Sequence, residues 1–440
     1  MIRATLFSAL ISLVTYNSFA ASKHVYASAS GTGSGDTWTD AYTTFAAAET
    51  GCARGDTIYV AEGTYAGNVW DKAVSGTSVI TIQRATTSSH GSATGWADLI
   101  GDGLILITNG MDFTTSYWKL LGTQGSYSRT SNATNSPYGF VIDVVSSEDI
   151  ATGIYSGASE CEISGCEMIG VSGNTNWTYV SAQYGTYFDA STNCTFRSNL
   201  LHGFDTMVYF GTPGGGTYRS TGIVVEDNTF HTALALAPAH CNIVYCTGTT
   251  NFIYRRNYAF NYSDEAFFVT GFQISPVNVQ AHNNIFSALG GVGSLGSPRA
   301  IELRQDYAYT NIYIHNNTAI SLGNGFSDRT GETGGTCSGC TATNNLSYAS
   351  GNSWGSVAQG NNTDDSTDRF VNRTGFNFAL SSALAGSAMA SQFNTDIDGV
   401  THGIDGTTDR GAIEFNGGTT YRGFSFGPGV KLIGAGRLAQ

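Results

Sequence analysis

The chain is patterned by a short phrase in which apolar and polar positions alternate around one asparagine. Its clearest copy is Gly222–His231, GIVVEDNTFH, with Ile223 and Val225 five and three positions before Asn228 and Phe230 two after it. The phrase recurs around Asn199, Asn257, Asn284, Asn317 and Asn345. Five positions before these stand Cys194, Phe252, Val279, Ile312 and Cys340, and three before stand Phe196, Tyr254, Ala281, Ile314 and Ala342. An upstream copy carries Cys161, Ile163 and, at the anchor, Cys166; from it the anchor steps run 33, 29, 29, 27, 33 and 28 residues. Self-similarity at this period predicts a solenoid. Period-two alternation makes each phrase a strand, with its apolar positions inward and the intervening ones toward solvent. The anchor asparagine fits a structural role, because Asn accepts left-handed turns and can hydrogen-bond its copy in the next coil.

Further β-rich stretches precede the repeats: Ser78–Gln83, Leu104–Thr108, Tyr117–Leu121 and Phe140–Val145. Each is apolar or β-branched and ends in turn formers. Only Trp38–Glu49 has helical spacing and alanine content. It lies within Tyr26–Ala66, which continues through Gly55-Asp56 into TIYVAEGTY. This entrance resembles that of right-handed parallel β-helix proteins of the pectin-lyase-like superfamily. The resemblance implies an all-β right-handed parallel β-helix with a short N-terminal capping helix. Arg369–Ser387 and Asn394–Phe415 are similar to the closing segment of exported members, where such a phrase completes the last coil. The expected organisation is a leader over 1–20, the β-helix over 21–415 and a Gly-rich tail or cap over 416–440.

Composition agrees. Charged residues are 12% of 440 and Gly numbers 56, which suits short strands and polar turns rather than long charged helices. The formal charge of −13 argues against nucleic acid and anionic membrane surfaces as partners. Residues 1–20 carry one basic residue, a short apolar run and Ser18-Phe19-Ala20, the pattern of a cleaved export signal; no later stretch approaches a membrane span. The expected location is therefore extracellular or periplasmic, where the eight cysteines can form disulfides. Cys161 and Cys194 occupy the same place in consecutive repeats and are expected to pair or to stack as thiols. Cys241 with Cys246, and Cys337 with Cys340, are close enough in sequence for local bridges. The single CxxC does not make a zinc site.

The superfamily resemblance implies polysaccharide chemistry on outward positions of neighbouring strands. No lysine lies between Lys119 and Lys431, which removes a lysine base from the repeats. The NTD, DD, GHG and RIK order of polygalacturonases is also absent. What remains is a set of ionisable residues in strands past the anchors: Asp205, Asp264, Glu265, Glu302 and Arg304, with Glu302 and Arg304 expected outward between inward Ile301 and Leu303. Carboxylates on adjacent strands suit glycosidase spacing, and an arginine can clamp a uronate carboxylate. Arg304 or His282 is the candidate base of an arginine-type lyase; the competing readings are a solvated Glu302–Arg304 pair and a turn histidine. Trp177, Tyr209 and Tyr307 are candidate sugar platforms. Insertions at 170–187, 211–220 and 287–297 mark the functional side.

No cofactor is required. Calcium is allowed at Asn394, Asp396, Asp398 and Asp405, which fall at positions 1, 3, 5 and 12 of an EF-hand-like spacing, although an Asx turn explains the phrase as well. The leading expectation is a secreted carbohydrate-active protein engaging, and in one reading cleaving, an extended uronic-acid polysaccharide or cell-surface glycan. The alternative is a non-catalytic surface, adhesive or assembly-forming rod, with oligomers or filaments.

Overall fold

A computed structural model describes residues 20–122, 138–144, 150–155, 157–170, 183–211, 219–233, 241–271, 274–287, 298–304, 308–329, 335–355, 357–368, 370–372, 377–388, 390–398, 400–404, 408–415, 431–433 and 437–439. The leader, the interiors of the three insertions and most of the tail lie outside these, as do Trp177, Tyr307 and Asp405.

The coils from Trp118 to Ser353 each consist of three strands. In the coil anchored on Asn257 they are Thr250–Arg255, Tyr258–Tyr262 and Glu265–Thr270; in the next they are Val277–His282, Ile285–Ser287 and Arg299–Arg304. First strands of successive coils pair in parallel into a 13-stranded sheet, and second and third strands form two rows of a 19-stranded sheet. The rows join because the long early strand Ile105–Phe113 pairs with both Phe140–Asp143 and Ile150–Ile154. The repeat positions stack in register: Val225, Tyr254, Ala281, Ile314 and Ala342 are successive partners, all buried. No single coil could bury this core alone.

The anchors form the expected ladder. Asn228 Nδ2 donates to Asn257 Oδ1 at 3.0 Å, and Asn257 Nδ2 donates to Asn284 Oδ1 at 3.2 Å. Each amide also reaches a backbone carbonyl of the preceding coil, as Asn257 Nδ2 reaches Val225 O at 2.9 Å. The residue before each anchor takes the left-handed conformation: Asp227, Arg256, Asn283, Asn316 and Asn344 all have φ between 51° and 58°. Asn tolerates that region best, which explains the Asn-Asn doublets. The structure adds a rung, Asn362, only 17 residues after Asn345 and bonded to it at 2.9 Å.

Two boundaries differ from expectation. The capping helix is Phe45–Gly51, started by Thr44, whose hydroxyl accepts from Ala47 N; Trp38 instead packs in a separate cluster with Ala61 and Ala85. The segment Phe370–Phe415 does not extend the coil. It folds back over the outward side of the second strands, and Phe378, Leu380, Ile397 and Ile413 pack on Tyr258, Ile285, Ile320 and Leu346. Those four second-strand positions point away from the interior and are apolar, so a covering segment is what removes them from water.

Of the expected disulfides, Cys337–Cys340 is present. Cys161 and Cys194 are free thiols. In-register neighbours about 4.8 Å apart project their side chains in parallel, and here each sulfur turns to a local carbonyl, Ser159 O and Thr192 O. Cys241 and Cys246 are also free: Cys246 points into the core, whereas Cys241 Sγ donates to Asp205 Oδ1 at 3.0 Å.

Candidate functional site

The third-strand row brings together three of the residues singled out in the sequence. Glu265 opens the strand Glu265–Thr270, and its Cα partner on the next coil is Arg299. Arg299 Nη1 lies 2.6 Å from Glu265 Oε1, 2.8 Å from Glu302 Oε2 and 3.9 Å from Asp264 Oδ1. The two glutamate oxygens are thus at most 5.4 Å apart, the sum of 2.6 Å and 2.8 Å to one shared nitrogen. From the following coil Arg329 Nη1 reaches Glu302 Oε1 at 3.4 Å.

Glu302 does point outward, but it is not solvated. Its side chain is 1% exposed because Arg299, three residues before it, and Arg329 close over it. Arg304 is not its partner. Arg304 is half-buried, its guanidinium stands 5.9 Å from the Phe268 ring, and its Cα partner on the preceding coil is Thr270. The sequence spacing suggested an i,i+2 pair; the fold instead supplies arginines from i−3 and from the next coil. Burial, and then the neighbouring Asp264 and Glu302 charges, push the Glu265 carboxyl up to about 8 despite Arg299. A carboxyl in this state can donate a proton near neutral pH.

Beside the cluster runs a row of rings at one register. Tyr187, Tyr209, Tyr245, Phe268 and Glu302 are successive Cα partners on five coils. Ring centroids lie 5.1 Å apart for Tyr187–Tyr209 and 5.2 Å for both Tyr209–Tyr245 and Tyr245–Phe268. Tyr155 extends the row at 5.5 Å from Tyr187. Tyr209 and Tyr245 are half-buried, so each keeps part of its side chain at the surface. Asp205, four residues before Tyr209, sits at the corner that starts the third strand.

Other candidates lie elsewhere. His282 ends a first strand, on the other sheet from Glu302, and is covered by Phe393. It is neither a turn residue nor a member of the carboxylate cluster. In the acidic phrase, Asp396 Oδ1 accepts from the backbone N–H groups of Asp398 and Val400, and its Oδ2 from that of Glu414. Asn394 is half-buried and Asp398 exposed, an Asx-turn arrangement. Among the described residues no three His, Cys, Asp or Glu side chains converge as metal ligands. Sequence reasoning missed Arg299, Arg329, Tyr245 and Phe268. No constant offset marks the two aromatics, since Tyr245 lies 17 residues past Asn228 and Phe268 lies 11 past Asn257; only the strand pairing puts them at one register.

No protein-family model matches the chain, and no curated protein matches it. Solved structures do. A pectate lyase, Pel9A, aligns over 90% of this chain and 98% of its own, with TM-score 0.58 and 12% identity. An alginate lyase from Paenibacillus sp. str. FPU-7 aligns over 72% of this chain and 95% of its own, with TM-score 0.43 and 16% identity. Together with the all-parallel coil, the first of these settles the architecture: the chain has a right-handed parallel β-helix fold.

Proposed function

We propose that this chain is an exported carbohydrate-active protein that binds an extended uronic-acid polysaccharide along the outward face of its third strands. One observation carries the reading: an ordered row of aromatic rings leads directly to a group of three arginines, Arg299, Arg304 and Arg329, on two neighbouring coils. Lysine and arginine together number 20 in 440 residues, so three on adjacent rungs is a local concentration of positive charge in an acidic protein. The half-buried edges of Tyr209 and Tyr245 can offer apolar and polar contact to a sugar, and guanidinium groups suit carboxylates in a bidentate fork. Buried Glu302 orients two of these guanidinium groups. With Glu265 protonated, the cluster presents more positive than negative charge. The structurally similar pectate lyase is named for a substrate of this kind.

Cleavage is a second reading, favoured by Glu265 alone. A carboxyl retained in its protonated form beside an ionised one is the pattern of a general acid and its partner. Neither reading requires a cofactor, which a chelator control checks. The test is affinity electrophoresis of the purified protein in gels containing polygalacturonate, alginate or a neutral glucan, with absorbance near 235 nm and reducing ends followed in parallel. Retardation by the uronic polymers, lost in R304A/R329A and absent with the neutral glucan, supports binding. Equal retardation by all three polymers, or none, sinks it and leaves the stiff-rod alternative.

A further inference from the structure

The covering segment Phe370–Phe415 meets the coils at a point the polysaccharide reading does not use. Phe393 lies against two histidines on adjacent first strands, with ring centroids 5.0 Å from His282 and 4.7 Å from His315. The histidines are Cα partners and are 2% and 5% exposed. The Nδ1 atoms of both are buried and have no hydrogen-bond partner among the described residues. On its other side His315 Nε2 meets only the Thr341 hydroxyl, at 3.2 Å. Beside these rings the segment is held by side-chain amides: Asn316 Nδ2 donates to Phe393 O at 2.9 Å, Asn283 Nδ2 donates to Thr395 O, and Asn344 Nδ2 donates to Ser387 O at 2.7 Å.

We propose that this contact is an acid-sensitive latch: protonation of His282 and His315 releases the Phe393 region of the covering segment from the coils. An imidazolium needs two hydrogen-bond acceptors or water, and the docked site supplies neither at Nδ1. The surroundings are also unfavourable to positive charge. Arg255 is the Cα partner of His282 on the preceding coil, and Arg256 and His402 act on it as well. His315 faces His282 and Thr341, and no carboxylate among the described residues pairs with either ring. Burial therefore holds His282 well down and His315 at about 4.

The sign follows from proton binding. The docked state disfavours protonation, so docking is at full strength above the ordinary histidine value of 6.5 and weakens as pH falls below it. At pH 5, His315 alone shifts the docked-to-released ratio about 30-fold, from 6.5 released and about 4 docked. Ile397, four residues past Phe393, belongs to the apolar cluster with Ile285, Ile320 and Leu346, so release loosens that cover on the second-strand face. The carboxyl groups of the segment, Asp396, Asp409 and Glu414, each accept hydrogen bonds within it.

The test is hydrogen exchange of the full chain, read by mass spectrometry on peptides spanning 377–415 and on control peptides of the anchor ladder, at pH 7.5, 6.5, 5.5 and 5.0. Rates are corrected for the intrinsic pH dependence of exchange. The expected result is loss of protection around Phe393–Thr395 below about pH 6, with the ladder peptides unchanged. H282N/H315N is expected to remove this pH step, and F393A to expose the segment at every pH. An unchanged pH step in H282N/H315N overturns the latch, as does flat protection in the unmodified chain across the range. If H282N/H315N fails to fold, single H315Q, which keeps a neutral polar group, serves the same comparison.

Discussion

Arg299 and Glu265 face each other across adjacent coils, Cα partners in a parallel pair, with Nη1 and Oε1 2.6 Å apart. The same nitrogen holds Glu302 at 2.8 Å, so one guanidinium nitrogen ties two buried carboxyls together. Removing one member of a buried ionic group leaves the others uncompensated, at a cost of about 3–5 kcal/mol. Arg299→Met is therefore expected to lower stability by roughly that amount in urea denaturation, and to weaken uronate binding more than Arg304→Ala does. A stability loss under about 1 kcal/mol would show that the cluster is solvated.

The Glu265 carboxyl makes stability fall with rising pH. Its native value, about 8, lies above the ordinary 4.5, so the folded state holds a proton that the unfolded state releases. Its contribution is complete below about 4.5 and disappears as pH rises through 8. Between pH 5 and 8 the unmodified chain is expected to lose stability with a slope that Glu265→Gln flattens. Denaturation midpoints at four pH values measure this, and parallel slopes for the two proteins would exclude it. If cleavage occurs, its rate should decline on the alkaline side with the same residue.

Asn257 tests the ladder. Its Oδ1 accepts from Asn228 N and Asn228 Nδ2, each at 3.0 Å, and its Nδ2 donates to Val225 O and Asn284 Oδ1. Asn257→Ala strands a buried backbone N–H and a carbonyl, at about 1–3 kcal/mol each. The expected loss is about 3 kcal/mol, with no selective effect on glycan binding. Calorimetric unfolding measures it.

Tyr245 stands in the middle of the aromatic row, stacked on Tyr209 and edge-on to Phe268. Tyr245→Ala is expected to weaken polysaccharide binding roughly 2- to 10-fold, the range of one aromatic contact. Tyr245→Phe should retain most of it if the exposed ring edge, rather than the hydroxyl, is what binds. Isothermal titration with a uronic oligosaccharide distinguishes the two, and equal affinity for all three proteins would remove the row from the binding face.

Much of this fold was legible because a repeat states the same local rule many times. The apolar positions before each anchor and the asparagine itself are set by neighbours two to five residues away. Counting them yields the coils and the ladder, with only the short step to Asn362 escaping the period. The site was legible in part. Asp264, Glu265 and Glu302 could be placed on neighbouring rungs by measuring from Asn257 and Asn284. Arg299 and Arg329 escaped because their roles rest on side-chain contacts, one from three residues before Glu302 and one from the next coil, that spacing does not record.

The sequence alone determined the parallel coil, its anchoring asparagines and the inward or outward direction of each strand position, since these follow from backbone periodicity and local turn preference. Only the tertiary structure decided that outward Glu302 is buried, that Arg299 rather than Arg304 neutralises it, and that Cys161 and Cys194 stack as thiols. It also decided where the last residues go: Phe370–Phe415 returns over the outside of the coils and buries His282. These outcomes depend on which side chains meet across coils some thirty residues apart, and on an apolar outer face that needs a cover. Local pattern carries no record of either.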